Sequence, residues 1–214
     1  MTLAKTLSAI ALATVALATP VAAVTISTLA DENDAVFSWG QPDTKWYGQT
    51  VSFANDVSLN SFTFRINDEG TSISYDAQIY AWDGDSATGA SLFSSSSATA
   101  GVNSTMTSYS TATGALGLMA GDYVLFFEAT SNGSANWGSV TGSDAYTGGD
   151  FVFQNAFNGD GIFDPWSVTF PSARDLAFSV EYDLAAIPLP AGGFLLIGAL
   201  GGLAALRRRK TKKS

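Results

Sequence analysis

Between Val24 and Ala186 the chain alternates apolar and polar side chains at a period of two, and no stretch there sustains an apolar period of 3.6. Phe62, Phe64 and Ile66 share one face of a short extended segment, with Thr63 and Arg65 on the other. Ile73, Tyr75, Ala77, Ile79 and Ala81 repeat the pattern, as do Leu176, Phe178, Val180 and Tyr182. A period of two suits a half-buried strand and would scatter the same apolar groups around a helix. Tyr123-Val124-Leu125-Phe126-Phe127 is apolar without a break, as a central strand covered on both faces would be. Further strands are expected over 45–54, 91–97, 105–111, 151–154 and 166–170. Turn formers separate them, among them Asn67-Asp68-Glu69-Gly70, Asp83-Gly84-Asp85, Gly148-Gly149-Asp150 and Asn158-Gly159-Asp160-Gly161. About ten short strands with frequent turns predict an all-β fold, an antiparallel β-sandwich of jelly-roll type.

Charge is distributed very unevenly. All 19 acidic residues lie between Asp31 and Asp183, where only Lys45, Arg65 and Arg174 oppose them, so residues 24–186 carry a net −16. The last eight residues carry +6. An acidic middle excludes nucleic acid as a partner, because phosphate contacts need clustered Lys and Arg. The chain has no cysteine and no histidine. Disulfides, thiol catalysis, thiolate zinc and imidazole general bases are therefore all absent. Without disulfides, an exported domain must be stabilised by its core, and a domain of this size buries roughly 70% of its unfolded surface.

Both ends read as membrane signals. Lys5 precedes the apolar stretch Leu7 to Ala18, followed by Pro20 and Val21-Ala22-Ala23. This is the order of a secretory signal peptide over 1–23, which would direct the chain to the secretion translocon, with cleavage expected after Ala23. Its apolar part spans about 18 Å as a helix, too short for a hydrocarbon core of about 30 Å. At the other end, residues 189–206 contain no charged side chain. They reach about 27 Å as a helix, enough to cross a lipid bilayer. Arg207, Arg208, Arg209 and Lys210 follow at once as a stop-transfer, positive-inside signal, and 207–214 forms a basic cytoplasmic tail. Gly198 and Gly202 form a G-x-x-x-G pattern, which is compatible with a helix-dimer face but is also common in apolar helices generally.

Ahead of that helix stands Ile187-Pro188-Leu189-Pro190-Ala191, then Gly192-Gly193-Phe194-Leu195-Leu196. The two prolines disfavour helix in the residues before them and hold the linker 184–191 extended, as a processing enzyme needs its substrate. The order of motif, apolar helix and basic cluster closely resembles the VPLPA-CTERM sorting signal, a variant of the bacterial PEP-CTERM class. Ile187 stands in place of the family's Val, and Thr211 to Ser214 extend the tail. The resemblance implies an exported protein anchored in the inner membrane and processed by an exosortase-type transpeptidase. It then implies residence at the cell surface or in an extracellular matrix rich in exopolysaccharide. Ser58-Leu59-Asn60-Ser61-Phe62, Gln78-Ile79-Tyr80-Ala81-Trp82 and Asp122-Tyr123-Val124-Leu125-Phe126 are also similar to ectodomains that accompany such signals, which implies a sandwich over 24–183 and no particular activity.

Three side-chain groups in the middle domain could carry chemistry. Asp83 and Asp85 stand two residues apart, and Asp160 and Asp164 share a second loop, the spacing of oxygen ligands in calcium loops. Neither loop fits an EF-hand, because Ser94 falls twelve positions along the first loop and Ile162 takes a ligand position in the second. Calcium is the one cofactor these residues would accommodate; otherwise the acids are turn formers and a solvated surface, and no cofactor is expected. Trp46, Trp82 and Trp137 fall near strand ends or loops, where exposed rings could stack on sugars. A glycosidase would need two carboxyls about 5–10 Å apart. Glu128, Asp144, Asp150 and Asp164 offer carboxyls, but no spacing singles out a pair. The sequence therefore reads as a non-enzymatic envelope or matrix protein with an adhesive or glycan-binding ectodomain, against the alternative of a secreted carbohydrate-active enzyme.

Overall fold

A computed structural model describes residues 23–42, 44–67, 72–100, 105–131, 136–141, 144–155, 161–168 and 174–185. Of the expected signal peptide 1–23 only Ala23, the first residue of a strand, is among them; the expected sorting motif Ile187 to Ala191, the apolar stretch 189–206 and the basic cluster Arg207 to Lys210 lie outside them. Among the described residues no helix is long and apolar enough to cross a membrane.

The chain is all-β. Its strands are β1 (Ala23–Ser27), β2 (Glu32–Trp39), β3 (Thr44–Phe53), β4 (Val57–Asn67), β5 (Ile73–Trp82), β6 (Ala87–Ser94), β7 (Ala98–Ala100), β8 (Met106–Leu118), β9 (Gly121–Ala129), β10 (Asn136–Thr141), β11 (Phe151–Asn155), β12 (Ser167–Val168) and β13 (Phe178–Leu184). One layer runs β1-β13-β4-β8, and the other runs β12-β11-β3-β9-β5 with β6 and β7 on its edge. Strands β10 and β2 join the two layers, β10 pairing with β4 and β2, and β2 meeting β3 at Trp39 and Thr44. That last contact is parallel; the other pairings are antiparallel, an arrangement consistent with a β-sandwich.

The core lies between the layers and is largely aromatic. Phe127 on β9 sits at its centre, stacked on Tyr75 at 4.3 Å and edge-on to Phe64 at 4.8 Å. Phe62 and Trp39 also meet it, at 5.8 and 6.2 Å. The alternation predicted for β4 and β5 therefore does what period two requires, turning Phe62, Phe64, Ile66, Ile73, Tyr75, Ala77 and Ile79 inward. The uninterrupted run on β9 is covered on both faces as expected. Tyr123, Leu125 and Phe127 face the main core, and Val124 and Phe126 face a second cluster outside it.

Phase along β4 changes at Asn60, the extra residue against β13, where Leu59 pairs with Tyr182 and Ser61 with Glu181. Leu59 and Phe62 are three residues apart, which should put them on opposite faces, yet both are fully buried. Leu59 pairs with Leu116 and Ser61 with Ala112, so Asn60 alone faces Thr113, Gly114 and Ala115. Gly114 and Ala115 adopt φ of 70° and 61°, the left-handed region that lets β8 bulge there.

The expected strands at 91–97 and 105–111 are shifted. Strand β6 ends at Ser94 and the serine run continues as a connection, whereas β8 extends to Leu118. Strands β1, β2, β7 and β10 lie outside the expected ones: β2 and β10 mix Asn, Asp, Gly and Ser with few alternating apolar residues, and β1 and β7 have only five and three residues.

Because Phe127 touches aromatic groups from both layers, Phe127→Ala should cost about 3–5 kcal/mol, whereas Leu92→Ala at a 40% exposed site should change stability by under about 0.5 kcal/mol. Urea denaturation of the two variants checks this.

Candidate functional site

The structure brings the two acidic loops together. The loop after β5 and the loop before β12 are joined by Trp166 N–H donating to Asp85 O at 2.9 Å and Ala87 N–H donating to Ile162 O at 3.3 Å. Beneath them lies the outer cluster of Trp46, Tyr80, Ala87, Val124, Phe126, Val152 and Trp166. Trp166 is the pin. Its indole N–H reaches Ile162 O at 2.9 Å, its ring meets Phe126 at 5.3 Å, and Gln154 holds the neighbouring Pro165 carbonyl at 2.8 Å. The loop thus lies flat on the sheet because two aromatic rings and four hydrogen bonds fix it there.

The carboxylates at this place point largely into their own loops. Asp83 accepts the N–H of Ser86 at 2.8 Å and of Asp85 at 3.0 Å, which holds its carboxyl below the ordinary value. Asp164 accepts the Gly161 N–H at 2.6 Å. Asp85 is exposed, and Asp160 lies outside the described residues. Among the described residues no three acidic, Cys or His side chains lie close enough to hold a metal.

The tryptophans divide. Trp46 is only 5% exposed and packs in the outer cluster, with Lys45 Nζ 4.5 Å above its ring centroid. Trp82 is half-buried and edge-on to Trp166 at 6.0 Å. The side chain of Trp137 lies outside the described residues. Phe163, 60% exposed and edge-on to Tyr80 at 5.9 Å, is the aromatic that reaches solvent beside the acidic loops.

Of the carboxyls considered for acid–base work, Glu128 is bound to Lys45 at 2.7 Å and to Gln78. Asp150 is pushed above its ordinary value by burial, with the charge of Asp144 adding to the effect. Asp175 was not singled out from sequence, where nothing distinguishes it from the other acids. It is fully buried. Its two oxygens accept Gln49 Nε2 at 2.8 Å and the N–H groups of Ala145 and Tyr146 at 2.9 and 2.7 Å. Burial raises its carboxyl above the ordinary value and outweighs the three donors, which pull it down. Every partner is a donor, and Gln49 cannot turn over, because its Oε1 already accepts the Leu176 N–H at 2.8 Å. When ionised, Asp175 accepts on both oxygens.

Asp175→Asn sets an amide N–H against one of those donors and should cost about 1–3 kcal/mol. A carboxyl whose folded value is raised costs stability when ionised. That cost fades as pH falls from the folded value toward the unfolded one, near about 3.9. The wild-type chain gains this contribution on acidification and the Asn variant does not, so the gap between them should widen from pH 7 to pH 4.5 in urea denaturation. For the acidic loops, millimolar calcium, magnesium and sodium chloride at equal ionic strength should raise the melting temperature alike, because Asp83 and Asp164 are already satisfied by loop amides. A rise specific to calcium and lost in Asp85→Ala/Asp164→Ala would assign an ion to them.

No family model, curated protein or solved structure matches this chain.

Proposed function

We propose that the chain is an exported protein of the cell envelope or extracellular matrix. The secretion translocon delivers it, residues 189–206 hold it in the bilayer, and an exosortase-type transpeptidase processes it at Ile187-Pro188-Leu189-Pro190-Ala191. Its ectodomain is structural or adhesive, with exopolysaccharide as the matrix component it would meet. The observation that carries this reading is the pairing of β1 with β13. Ala23 lies opposite Asp183 and Ser27 opposite Ser179, so the chain enters and leaves the domain side by side. Such a domain is complete once its last strand docks on its first. Removing a leader ahead of Val24, or exchanging the anchor after Ala185, would take away no strand of the described fold.

The winding inferred for the domain is jelly-roll-like, because successive connections cross between layers: β3 to β4, β4 to β5, β8 to β9 and β12 to β13. A second reading, a carbohydrate-active enzyme with paired carboxylates, is favoured by one observation, the raised Asp150 carboxyl beside Asp144. Hydrolysis of matrix polysaccharide that disappears in Asp150→Asn would establish that reading in place of the first.

The anchoring reading has its own measurement. Replacing Leu196 and Leu200 with Arg should release the protein from the membrane fraction, at about 2.5–3.5 kcal/mol per central charge. The intact mass of the mature wild-type protein should correspond to a chain starting at Val24 and ending near Pro190. A mature chain that always ends at Ser214 would leave a simple single-pass protein and remove the sorting step.

A further inference from the structure

The strand edges of the two layers are not equivalent. Strand β1 has five residues and lies beside acidic side chains, Thr25 opposite Glu181 and Ala23 opposite Asp183. Strands β7 and β12 have three and two residues. The pairing of β6 with β5 slips between Ile79 and Ala81, so its regular stretches are short. Strand β8 is different. Among the described strands it pairs with β4 alone, and from Met106 to Ala112 the register against Asn67 to Ser61 is unbroken. Those seven residues present about 23 Å of strand, and alternate backbone N–H and C=O groups along them point away from β4. An edge of this kind is a template for another strand.

Charge says which strand. The chain from Ser86 to Ala120, which supplies β6, β7 and β8, contains no charged residue, within a domain carrying −16. Paired strands lie about 4.8 Å apart, inside the screening distance of about 8 Å in physiological salt. Two such acidic domains would repel one another wherever carboxylates come that close. Among the described residues the charges along β8 are Arg65, opposite Ser108 and donating to Met106 O at 3.4 Å, and Glu32, bound to Arg65 at 2.7 Å. The segment also complements itself. In an antiparallel pair centred on Tyr109, Thr107 faces Thr111 and Ser108 faces Ser110, the hydroxyl and aromatic pairs that favour cross-strand contact. Ser108, Ser110 and Ala112 are exposed, and Tyr109 leans on Tyr75 at 6.3 Å. The bulge at Thr113 to Ala115 then ends the regular edge and limits the contact to this stretch.

We propose that Met106 to Ala112 is a self-docking edge, through which two copies of this chain pair antiparallel about a two-fold axis and join their β4–β8 layers into one sheet. The contact is the same patch on both copies, so it closes as a dimer. It does not depend on the sorting reading.

The test uses the full chain in mild detergent, by sedimentation velocity from 1 to 100 µM. The wild type should dimerise with concentration. Ser108→Asp/Ser110→Asp, which sets like charges across the axis, should weaken the dimer ten-fold or more. Thr25→Asp/Ser27→Asp on the opposite edge should leave it unchanged. The chain has no cysteine of its own, so single substitutions report the register cleanly. Ser108→Cys mixed with Ser110→Cys should give more disulfide-linked dimer than either alone, and this result stands even if the double Asp variant misfolds. A wild type that stays monomeric at 100 µM overturns the proposal. A dimer that survives the Asp pair but is lost in Gly198→Ile/Gly202→Ile also overturns it and assigns association to the apolar helix.

Discussion

The fold depends on how one buried, irregular segment is satisfied. Residues Arg174 to Phe178 lead into β13 through the interior, where unpaired backbone groups would each cost about 1–3 kcal/mol. Partners come from five places in the chain. Thr141 bonds both the N–H and the C=O of Asp175, and Gln49 takes the Leu176 N–H. Thr28 donates its hydroxyl to Leu176 O at 2.6 Å and accepts the Phe178 N–H at 3.0 Å. Phe151 and Arg65 cover the carbonyls of Arg174 and Ala177. The segment therefore ties β3, β4, β10, β11 and the turn after β1 to one another. Gln49, Thr28, Thr141 and Asp175 are buried polar residues for this reason.

Around that clasp the two layers close on an aromatic core, and the same strands create a second cluster outside it. Strand β9 is the hinge of this arrangement because both its faces are apolar. Its outer face would be exposed without the loop carrying Ile162 and Trp166, so burying Phe126 also positions the acidic residues beside it. The proximity of Asp83 to Asp164's loop is a consequence of apolar packing, and the Asx-type hydrogen bonds of Asp83 belong to that loop's own geometry.

The two edges of the first layer differ in how they are covered. One end of the first layer is formed by β1, where the chain enters the domain beside acidic side chains, while at the other β8 pairs with β4 alone among the described strands.

Local pattern was enough for several elements. Period two in 62–66 and 73–82 placed β4 and β5 and the inward residues on each, because alternation is a property of extended backbone that any pairing preserves. The apolar run 123–127 was legible as a doubly covered strand for the same reason. The Asp, Asn and Gly clusters read as turns because those residues tolerate turn conformations wherever they occur. The bulge opposite Asn60, the burial of Trp46 and the role of Asp175 were not legible. Each depends on residues far away in the chain: Thr113 to Ala115 for Asn60, Phe126 and Trp166 for the outer cluster that takes in Trp46, and Gln49 with Ala145 and Tyr146 for Asp175. An isolated aspartate carries no mark of how many donors will surround it. By itself the sequence determined which segments are extended and which side of each is apolar. Tertiary pairing decided which acid is buried, which tryptophan is covered and how the strand edges are paired, because those outcomes depend on partners from 29 to 126 residues apart in the chain.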